Sequence, residues 1–391
     1  MGVFEMTLTR VIVGVSLGVL FVAGCTSGGA PAGSTVSTSS VPPPVAIVAS
    51  CPIGATPDRP GPADQARPAL GDLNFGAAMD TQSGRVVVFD LDSKSTWTFD
   101  VCTNTWRKMQ PAREPDLGLP NAGPGRTVEM VYDADADLTV AFEGPGAWSY
   151  SVETNTWTYL PKNGSAPAIS SSSHFVYDPV SGSVLRLDYS PPRMWTFAVE
   201  TNTWTEIDQG EVVPPTTGPS TASLVGYDAA ANQLVLVLLG ARNEVWVFNP
   251  CALVWAKRKT LPPRPTEMGF GWVESGGAVV FDEARGLTVA FSLGSMATYS
   301  AATDEWRAVA PGSGWASGFA ATPAEDELLA PDGQLSRLGH RLVYDPTNER
   351  IVMVGGTARM PDPDSWQALG DVWAYDLSTN TWRELVPPEP E

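Results

Sequence analysis

Positive charge is scarce in this sequence, which has 24 Lys and Arg residues against 43 Asp and Glu residues and a formal net charge of −19. A phosphate backbone or an anionic lipid surface is repelled by the average field of such a chain. We therefore expect no nucleic acid among its partners.

Recognisable catalytic motifs are missing too. The chain contains no HExxH, GxSxG or CxxC motif, no phosphate loop and no Ser-Asp-x-Gly-x-Thr-Trp box. Acidic residues are numerous, but most recur at turn positions, so nothing specific supports a glycosidase with paired carboxylates. The sequence thus favours a protein that is not an enzyme and that needs no cofactor, although catalysis through loop residues stays open.

The N-terminus has the features of an export signal. Arg10 supplies a positive end, Val11–Ala23 is an apolar run too short to span a bilayer comfortably, and small residues precede Cys25. The run Val22-Ala23-Gly24-Cys25 resembles a bacterial lipobox, which implies that residues 1–24 are a signal peptide and that Cys25 carries a lipid. An uncleaved anchor helix or a buried strand is the alternative.

Residues 25–72 are expected to form a tether and an N-terminal extension. Residues 26–50 are rich in Ser, Thr, Gly and Pro and carry no charge, a composition that buries too little surface to fold by itself. The resemblance to lipoproteins then implies an extracytoplasmic protein, anchored to a bacterial membrane only through the lipid on Cys25.

One pattern recurs along the rest of the chain. Two anchor positions, in most copies tryptophans, stand nine residues apart in the six segments Thr96–Trp106, Ala147–Trp157, Met194–Trp204, Val245–Trp255, Met296–Trp306 and Val372–Trp382. Upstream of each lies an apolar strand that ends in aspartate, at Asp80, Asp133, Asp178, Asp228, Asp282 and Asp345. A short polar turn and a second apolar strand follow each aspartate, so the pattern predicts four strands per repeat. Asn in the Thr-Asn-Thr turns suits a tight reversal.

This pattern resembles the kelch repeat, in which a Tyr-Asp strand, an apolar second strand and two aromatic positions recur. Successive second anchors are 51, 47, 51, 51 and 76 residues apart. The resemblance implies an all-β fold: a six-bladed kelch-type β-propeller with four antiparallel strands per blade, over residues 73–386. The blades are expected at about 73–109, 127–160, 173–207, 222–258, 276–309 and 339–386. The double glycine that usually closes the second kelch strand is kept only at Gly355-Gly356.

The repeated aromatic residues are expected to pack neighbouring blades together, because positions repeated in every blade are a requirement of the fold. Ring closure is expected to need no borrowed strand. Galactose oxidase is similar in fold, but its copper site needs two His and two Tyr brought together, with one Tyr cross-linked to Cys, and this sequence does not supply that constellation convincingly. We expect no metal site.

Cysteine and histidine are few. Cys102 and Cys251 occupy equivalent turns in blades 1 and 4, on opposite sides of the ring, so any disulfide should use Cys51. Cys51–Cys102 is favoured, and Cys51–Cys251 is the alternative. His174 and His340, the only histidines, are expected to bond local backbone groups at strand entrances.

Two insertions break the regular spacing, and both flank blade 6. The second anchor and the next strand aspartate are 39 residues apart before blade 6, against 21 to 27 elsewhere. The strand aspartate and the first anchor of the same blade are 28 residues apart in blade 6, against 15 to 18 in the other blades. Loops on one face of a propeller are free to vary, so this sector is the candidate site. The candidate ligand-binding residues are Trp315, Glu327, Arg337, Arg359, Asp362, Asp364 and Trp366, since Trp, Arg and carboxylates suit glycans or peptides. The alternative is that the two insertions are Pro/Gly-rich surface loops without a binding role.

The expected function is binding: a monomeric cell-envelope scaffold that holds a glycan or a protein through the loop face of blades 5 and 6. The alternative is a sugar-active enzyme, because the chain resembles bacterial kelch sialic-acid mutarotases. Arg337, Arg359 and Glu327 would then bind the sugar and move protons. A mainly structural envelope protein is the third possibility.

Overall fold

The structure is a computed structural model. It describes residues 48–71, 74–117, 128–143, 146–163, 167, 173–189, 192–215, 223–238, 244–258, 277–292, 295–309, 337–359 and 366–387. Within these ranges the regular secondary structure is entirely β-strand. They contain no helix of the length and apolarity that crossing a membrane requires.

Six sheets form the blades, each with four antiparallel strands in chain order. Blade 1 consists of β1 (Phe75–Asp80), β2 (Arg85–Asp90), β3 (Ser95–Asp100) and β4 (Thr105–Lys108). Blade 2 consists of β5 (Glu129–Asp133), β6 (Leu138–Glu143), β7 (Gly146–Ser151) and β8 (Thr156–Leu160). Blade 3 consists of β9 (His174–Asp178), β10 (Ser183–Tyr189), β11 (Pro192–Ala198) and β12 (Thr203–Ile207). Blades 4 and 5 consist of β13 (Ser223–Asp228), β14 (Gln233–Leu238), β15 (Glu244–Asn249) and β16 (Val254–Lys257), then β17 (Ala278–Asp282), β18 (Leu287–Ser292), β19 (Ser295–Ser300) and β20 (Glu305–Val309).

Blade 6 carries an additional sheet. Its four strands are β22 (Arg341–Asp345), β23 (Arg350–Val354), β26 (Val372–Asp376) and β27 (Thr381–Val386). Between and before them lie β21 (Arg337–Leu338), β24 (Thr357–Arg359) and β25 (Trp366–Ala368), which form a separate three-stranded sheet in the order β21-β24-β25. We call this the small sheet.

The blades close into a ring around their first strands. Each first strand contacts the first strands of both neighbouring blades, and β1 contacts β5 on one side and β22 on the other. Each blade takes all four strands from one segment of the chain, which in blade 6 also contains β24 and β25 of the small sheet. The ring therefore closes without a strand shared between the two ends of the chain. The predicted fold, a six-bladed β-propeller with four antiparallel strands per blade, is confirmed.

Left-handed backbone conformations in the turns permit these short hairpins. Each blade has one such turn after its first strand and another after its third strand. In each turn, the residue four positions after the last residue of the strand has a positive φ. These residues are Gly84, Asp137, Gly182, Asn232, Gly286 and Glu349 after first strands, and Asn104, Asn155, Asn202, Leu253, Asp304 and Asn380 after third strands. Asn accounts for much of this set because its short polar side chain tolerates the conformation. The role predicted for the Thr-Asn-Thr turns is confirmed.

Aromatic side chains pack within and between blades. In each blade an aromatic residue of the third strand lies opposite the second anchor Trp, as at Phe197 and Trp204, whose ring centroids are 4.6 Å apart. Rings also meet across blade boundaries: Phe89 of blade 1 lies 5.9 Å from Trp157 of blade 2. The repeated tryptophans therefore serve packing, as expected.

Tyrosine hydroxyl groups join several pairs of neighbouring blades at the turns that follow first strands. The Tyr227 hydroxyl of blade 4 donates to Asp178 Oδ1 of blade 3 at 2.5 Å. The Tyr344 hydroxyl of blade 6 accepts a hydrogen bond from the Ala284 backbone N–H of blade 5 at 3.1 Å. Each buried aspartate also caps its own turn, as when Asp178 accepts the N–H of Val180 at 2.9 Å. The first strands are thus fixed at one end.

Residues 48–71 run across the junction between blade 1 and blade 6, and we call this segment the strap. A disulfide joins Cys51 to Cys102 in the last turn of blade 1, with 5.3 Å between the Cα atoms. Further along, the Gly61 N–H donates to the Leu385 carbonyl group of blade 6 at 2.8 Å. Leu70 packs in one apolar cluster with residues of both blades. The strap therefore joins blade 1 to blade 6 without adding a strand to either sheet.

Candidate binding sites at blade 6 and at the channel mouth

The small sheet starts where the double glycine bends the chain. Gly355 and Gly356 follow β23 and have φ values of 58° and 104°, which residues with a Cβ rarely adopt. A Cβ atom on Gly355 would lie 2.6 Å from the Leu70 Cβ atom of the strap. The glycine pair is therefore required both for the bend and for the close approach of the strap.

Arg337 lies in the small sheet, but its guanidinium group is held inside the protein. It forms a bidentate ion pair with Asp371, with Nη1–Oδ1 at 2.8 Å and Nη2–Oδ2 at 2.6 Å, and both side chains are buried. Nη1 also donates to the Gly355 carbonyl group at 3.0 Å, and Asp371 accepts the indole N–H of Trp373 at 2.8 Å. This ion pair joins the start of the small sheet to blade 6, and a ligand would have to compete with Asp371 for Arg337.

Arg359 and Trp366 are brought together by the small sheet. They are directly opposite each other in the β24–β25 pairing, while Arg337 pairs with Ala358 one position earlier. Three of the predicted site residues therefore belong to the small sheet, but the pairing brings only Arg359 and Trp366 opposite each other. The others, Trp315, Glu327, Asp362 and Asp364, lie outside the described residues, as does Cys25.

The strap packs against the same sheet. The Gly356 N–H donates to the Leu70 carbonyl group at 2.9 Å. A Cβ atom on Gly71 would lie 2.4 Å from the Ala368 Cβ atom of β25. The base of the small sheet is thus fixed by two separate parts of the chain, which makes it a firm platform for the loops around it.

A second group of polar residues stands at the start of the first strands. Glu129, His174 and Arg341 each lie four residues before the strand aspartate, in blades 2, 3 and 6, and each is half-buried. First strands are innermost in the ring, so these residues surround one end of the central channel. We call this group, together with Ser223, the channel mouth.

Electrostatic interactions show that these residues are close to one another. Burial lowers the pKa of His174, the nearby Glu129 carboxylate raises it, and Arg341 from the opposite side of the ring lowers it. His174 Nε2 lies 3.2 Å from Ser223 Oγ of blade 4. His174 therefore contacts a side chain of the next blade, whereas the sequence predicted a bond to local backbone.

His340, directly before β22, is fully buried. Its ring packs edge-on against Phe291 with 5.0 Å between centroids. Neither ring nitrogen makes a hydrogen bond of ordinary geometry with the described residues, whereas the sequence predicted bonds to local backbone. Burial lowers the pKa of His340 to about 3, and the Arg337 and Arg341 charges act in the same direction. The imidazole is therefore neutral at physiological pH.

The sequence analysis missed the channel mouth. Its signal is positional: four residues before the strand aspartate, blades 2, 3 and 6 have a charged or polar residue, where the other blades have Gly76, Leu224 and Ala278. Nothing in the repeat itself marks that position. In the described part of the chain, no group of three or more His, Cys, Asp or Glu residues is arranged to hold a metal ion.

Comparison with known proteins supports the repeat assignment. A Kelch motif matches residues 346–389. The matched segment starts in the turn after β22 and contains the double glycine, the small hairpin and both tryptophans of the last repeat. The protein is a six-bladed β-propeller with a Kelch motif.

The other comparisons add little. Among solved structures, the chain is similar to one described as the crystal structure of a nidogen/laminin complex, at 14% identity and a TM-score of 0.41, over 59% of this chain and 77% of the other. No curated protein matches the chain at a significant level.

Proposed function

We propose that the protein is a cell-envelope lipoprotein that acts as a binding scaffold for a glycan or a protein through the loop face of blades 5 and 6. Kelch propellers commonly act as scaffolds for protein interaction. The observation that carries the proposal is the small sheet, because it is the one described sheet that is not a blade.

The construction of the small sheet supports a binding role. An inserted loop that has no function needs no buried support, because insertions in surface loops cost little free energy. Here the buried Arg337–Asp371 ion pair fixes the sheet to blade 6, and the strap covers its base. Such rigid support reduces the entropy that a binding surface loses when a ligand is bound.

The contacts of Arg337 also agree better with a binding scaffold than with a sugar-active enzyme. The enzyme alternative assigns substrate binding to Arg337, but its guanidinium group is already bonded to Asp371 and Gly355. Arg359 and Trp366 are then the candidates for ligand contact in the small sheet, where they are opposite each other in the backbone pairing. Both residue types are enriched at binding hot spots.

Two variants test the binding face. In a glycan panel and in crosslinking to envelope proteins, replacing both Trp315 and Trp366 by Ala should abolish binding, and Arg359→Ala should weaken it by about tenfold or more. Arg193→Ala is the matched control, since Arg193 lies exposed on blade 3, opposite blade 6. Unchanged binding in the double tryptophan variant, with the fold intact, contradicts the proposal.

The lipid anchor needs its own test. We propose that residues 1–24 are removed, that Cys25 carries the lipid, and that residues 26–47 lead to the strap. Metabolic labelling with a radioactive fatty acid should mark the wild-type chain and leave Cys25→Ser unlabelled. Equal label on both chains would show that the lipid, if present, is attached elsewhere.

A further inference from the structure

The channel mouth contains a half-buried cation, Arg341, whose partners differ from those of the fully buried arginines. Arg186, Arg337 and Arg350 each contact an aspartate, with N–O distances of 2.9, 2.6 and 3.0 Å. Arg341 has no carboxylate within 4.0 Å among the described residues. This difference requires an explanation, because a charge removed from water without a partner is costly.

The contacts of Arg341 compensate only part of that cost. Nη2 donates to the Phe75 carbonyl group of blade 1 at 2.9 Å, Nη1 lies 3.5 Å from the Gly339 carbonyl oxygen, and the guanidinium carbon is 5.3 Å from the centre of the Phe75 ring. All of these partners are neutral. The side chain is half-buried, so an anion in the channel can reach it.

Glu129 supplies the opposite charge without contacting Arg341. Burial lowers the pKa of Arg341, and the charge of Glu129 acts against that shift, so the two lie within electrostatic range. No ion pair shorter than 4.0 Å joins them, and Glu129 makes no side-chain hydrogen bond within the described part of the chain. The two charges therefore lie at the same end of the ring, on the first strands of blades 2 and 6, without direct contact.

The rest of the mouth is polar but uncharged. Burial keeps the pKa of His174 low, so at neutral pH His174 and Ser223 offer hydrogen bonds and no charge. Leu224 and Ala278 occupy the equivalent positions of blades 4 and 5. Among the described residues, the channel mouth thus has one cation, one anion and a weakly polar remainder.

We propose that the channel mouth binds a small zwitterion, whose carboxylate pairs with Arg341 and whose ammonium group pairs with Glu129. Guanidinium and carboxylate groups match in geometry and form charge-assisted hydrogen bonds. A ligand with both charges neutralises both side chains at once. This site is separate from the small sheet and does not depend on the binding scaffold proposed above.

Titration calorimetry on the full-length protein tests the proposal. The probes are glycine, β-alanine and 4-aminobutanoate, which separate the two charges by increasing distances, with butanoate and butylamine as single-charge analogues. At least one zwitterion should bind about tenfold or more tightly than either analogue. If no zwitterion binds better than the analogues, the proposal is wrong.

Two variants assign the charges. Glu129→Gln should reduce the affinity for the zwitterion to that for butanoate and leave butanoate binding unchanged, whereas Arg341→Gln should abolish both. Should Arg341→Gln fail to fold, Glu129→Gln still decides, because the Glu129 side chain makes no hydrogen bond or ion pair with the described residues and Gln preserves its size. Zwitterion binding that is equal in wild type and Glu129→Gln overturns the assignment.

Discussion

Arg350 and Asp345, five residues apart at the ends of β23 and β22, form a buried ion pair with Nε–Oδ2 at 3.0 Å. At four of the six interfaces a tyrosine precedes the strand aspartate, whereas blade 1 has Met79 at this position, and Arg350 bonds Asp345 instead. The same guanidinium group donates to the Pro57 carbonyl group of the strap at 2.7 Å and to the Val101 carbonyl group of blade 1 at 2.9 Å. One side chain therefore joins both blades of the junction and the strap.

Arg350→Ala should destabilise the protein strongly. It leaves Asp345 buried without its countercharge and removes both bridging hydrogen bonds, a loss of about 3–5 kcal/mol in the free energy of unfolding. Urea denaturation measures it. Arg193→Ala is the control, since the Arg193–Glu206 pair is exposed and should contribute at most about 1 kcal/mol. Equal effects of the two substitutions would contradict the role of Arg350.

Phe281→Tyr should stabilise the interface between blades 4 and 5. Phe281 occupies the position of Tyr227 and Tyr344, and the buried Asp228 Oδ2 atom on the facing turn has no hydrogen-bond partner of ordinary geometry among the described residues. A hydroxyl group there should contribute about 1 kcal/mol. The reverse change, Tyr227→Phe, removes a bond to Asp178 and should cost about 1–3 kcal/mol. A thermal unfolding midpoint that Phe281→Tyr lowers would refute this prediction.

His340 makes stability depend on pH. Its folded pKa of about 3 lies below the ordinary value of 6.5, so its contribution is complete above 6.5 and is lost as the pH falls toward 3. The slope should be about 1.4 kcal/mol per pH unit, or about 2 kcal/mol between pH 6.5 and pH 5. His340→Leu should lack this contribution. Urea titrations of both proteins at about pH 7.5 and pH 5 measure the difference, and parallel losses would exclude His340 as the cause.

The Cys51–Cys102 disulfide should stabilise the chain by restricting the unfolded state. The two residues are 51 apart in sequence, and closing such a loop contributes about 2–4 kcal/mol. The Cys51→Ser, Cys102→Ser double variant should therefore unfold at a lower temperature in calorimetry. Peptide mapping without reductant should recover Cys51 linked to Cys102; a Cys51–Cys251 peptide would contradict the pairing.

Much of the fold follows from the sequence because it depends on local, repeated chemistry. The nine-residue spacing of the anchors, the strand aspartates and the Asn turns each act over a few residues, and six copies make the pattern clear. The strap contacts are of another kind. Arg350 and Pro57 are 293 residues apart, and no repeat records their meeting.

The candidate sites were predictable only in part. The insertions indicated the sector of the small sheet, but the burial of Arg337 depends on Asp371, which no motif marks. The channel mouth was not predicted, because Glu129, His174 and Arg341 stand at ordinary strand positions and converge only once the ring is closed.

The disulfide also determines where tension enters the molecule. A pull on the chain from its N-terminal side passes through the Cys51–Cys102 bond into blade 1 before it reaches residues 52–71. The hydrogen bonds of Ala49 with Thr81 and Thr347 lie before that bond, whereas the strap contacts with Arg350, Leu385 and the small sheet lie beyond it. A force applied at the N-terminal side would therefore be transmitted to blade 1 by a covalent bond, which would shield the later contacts of the strap.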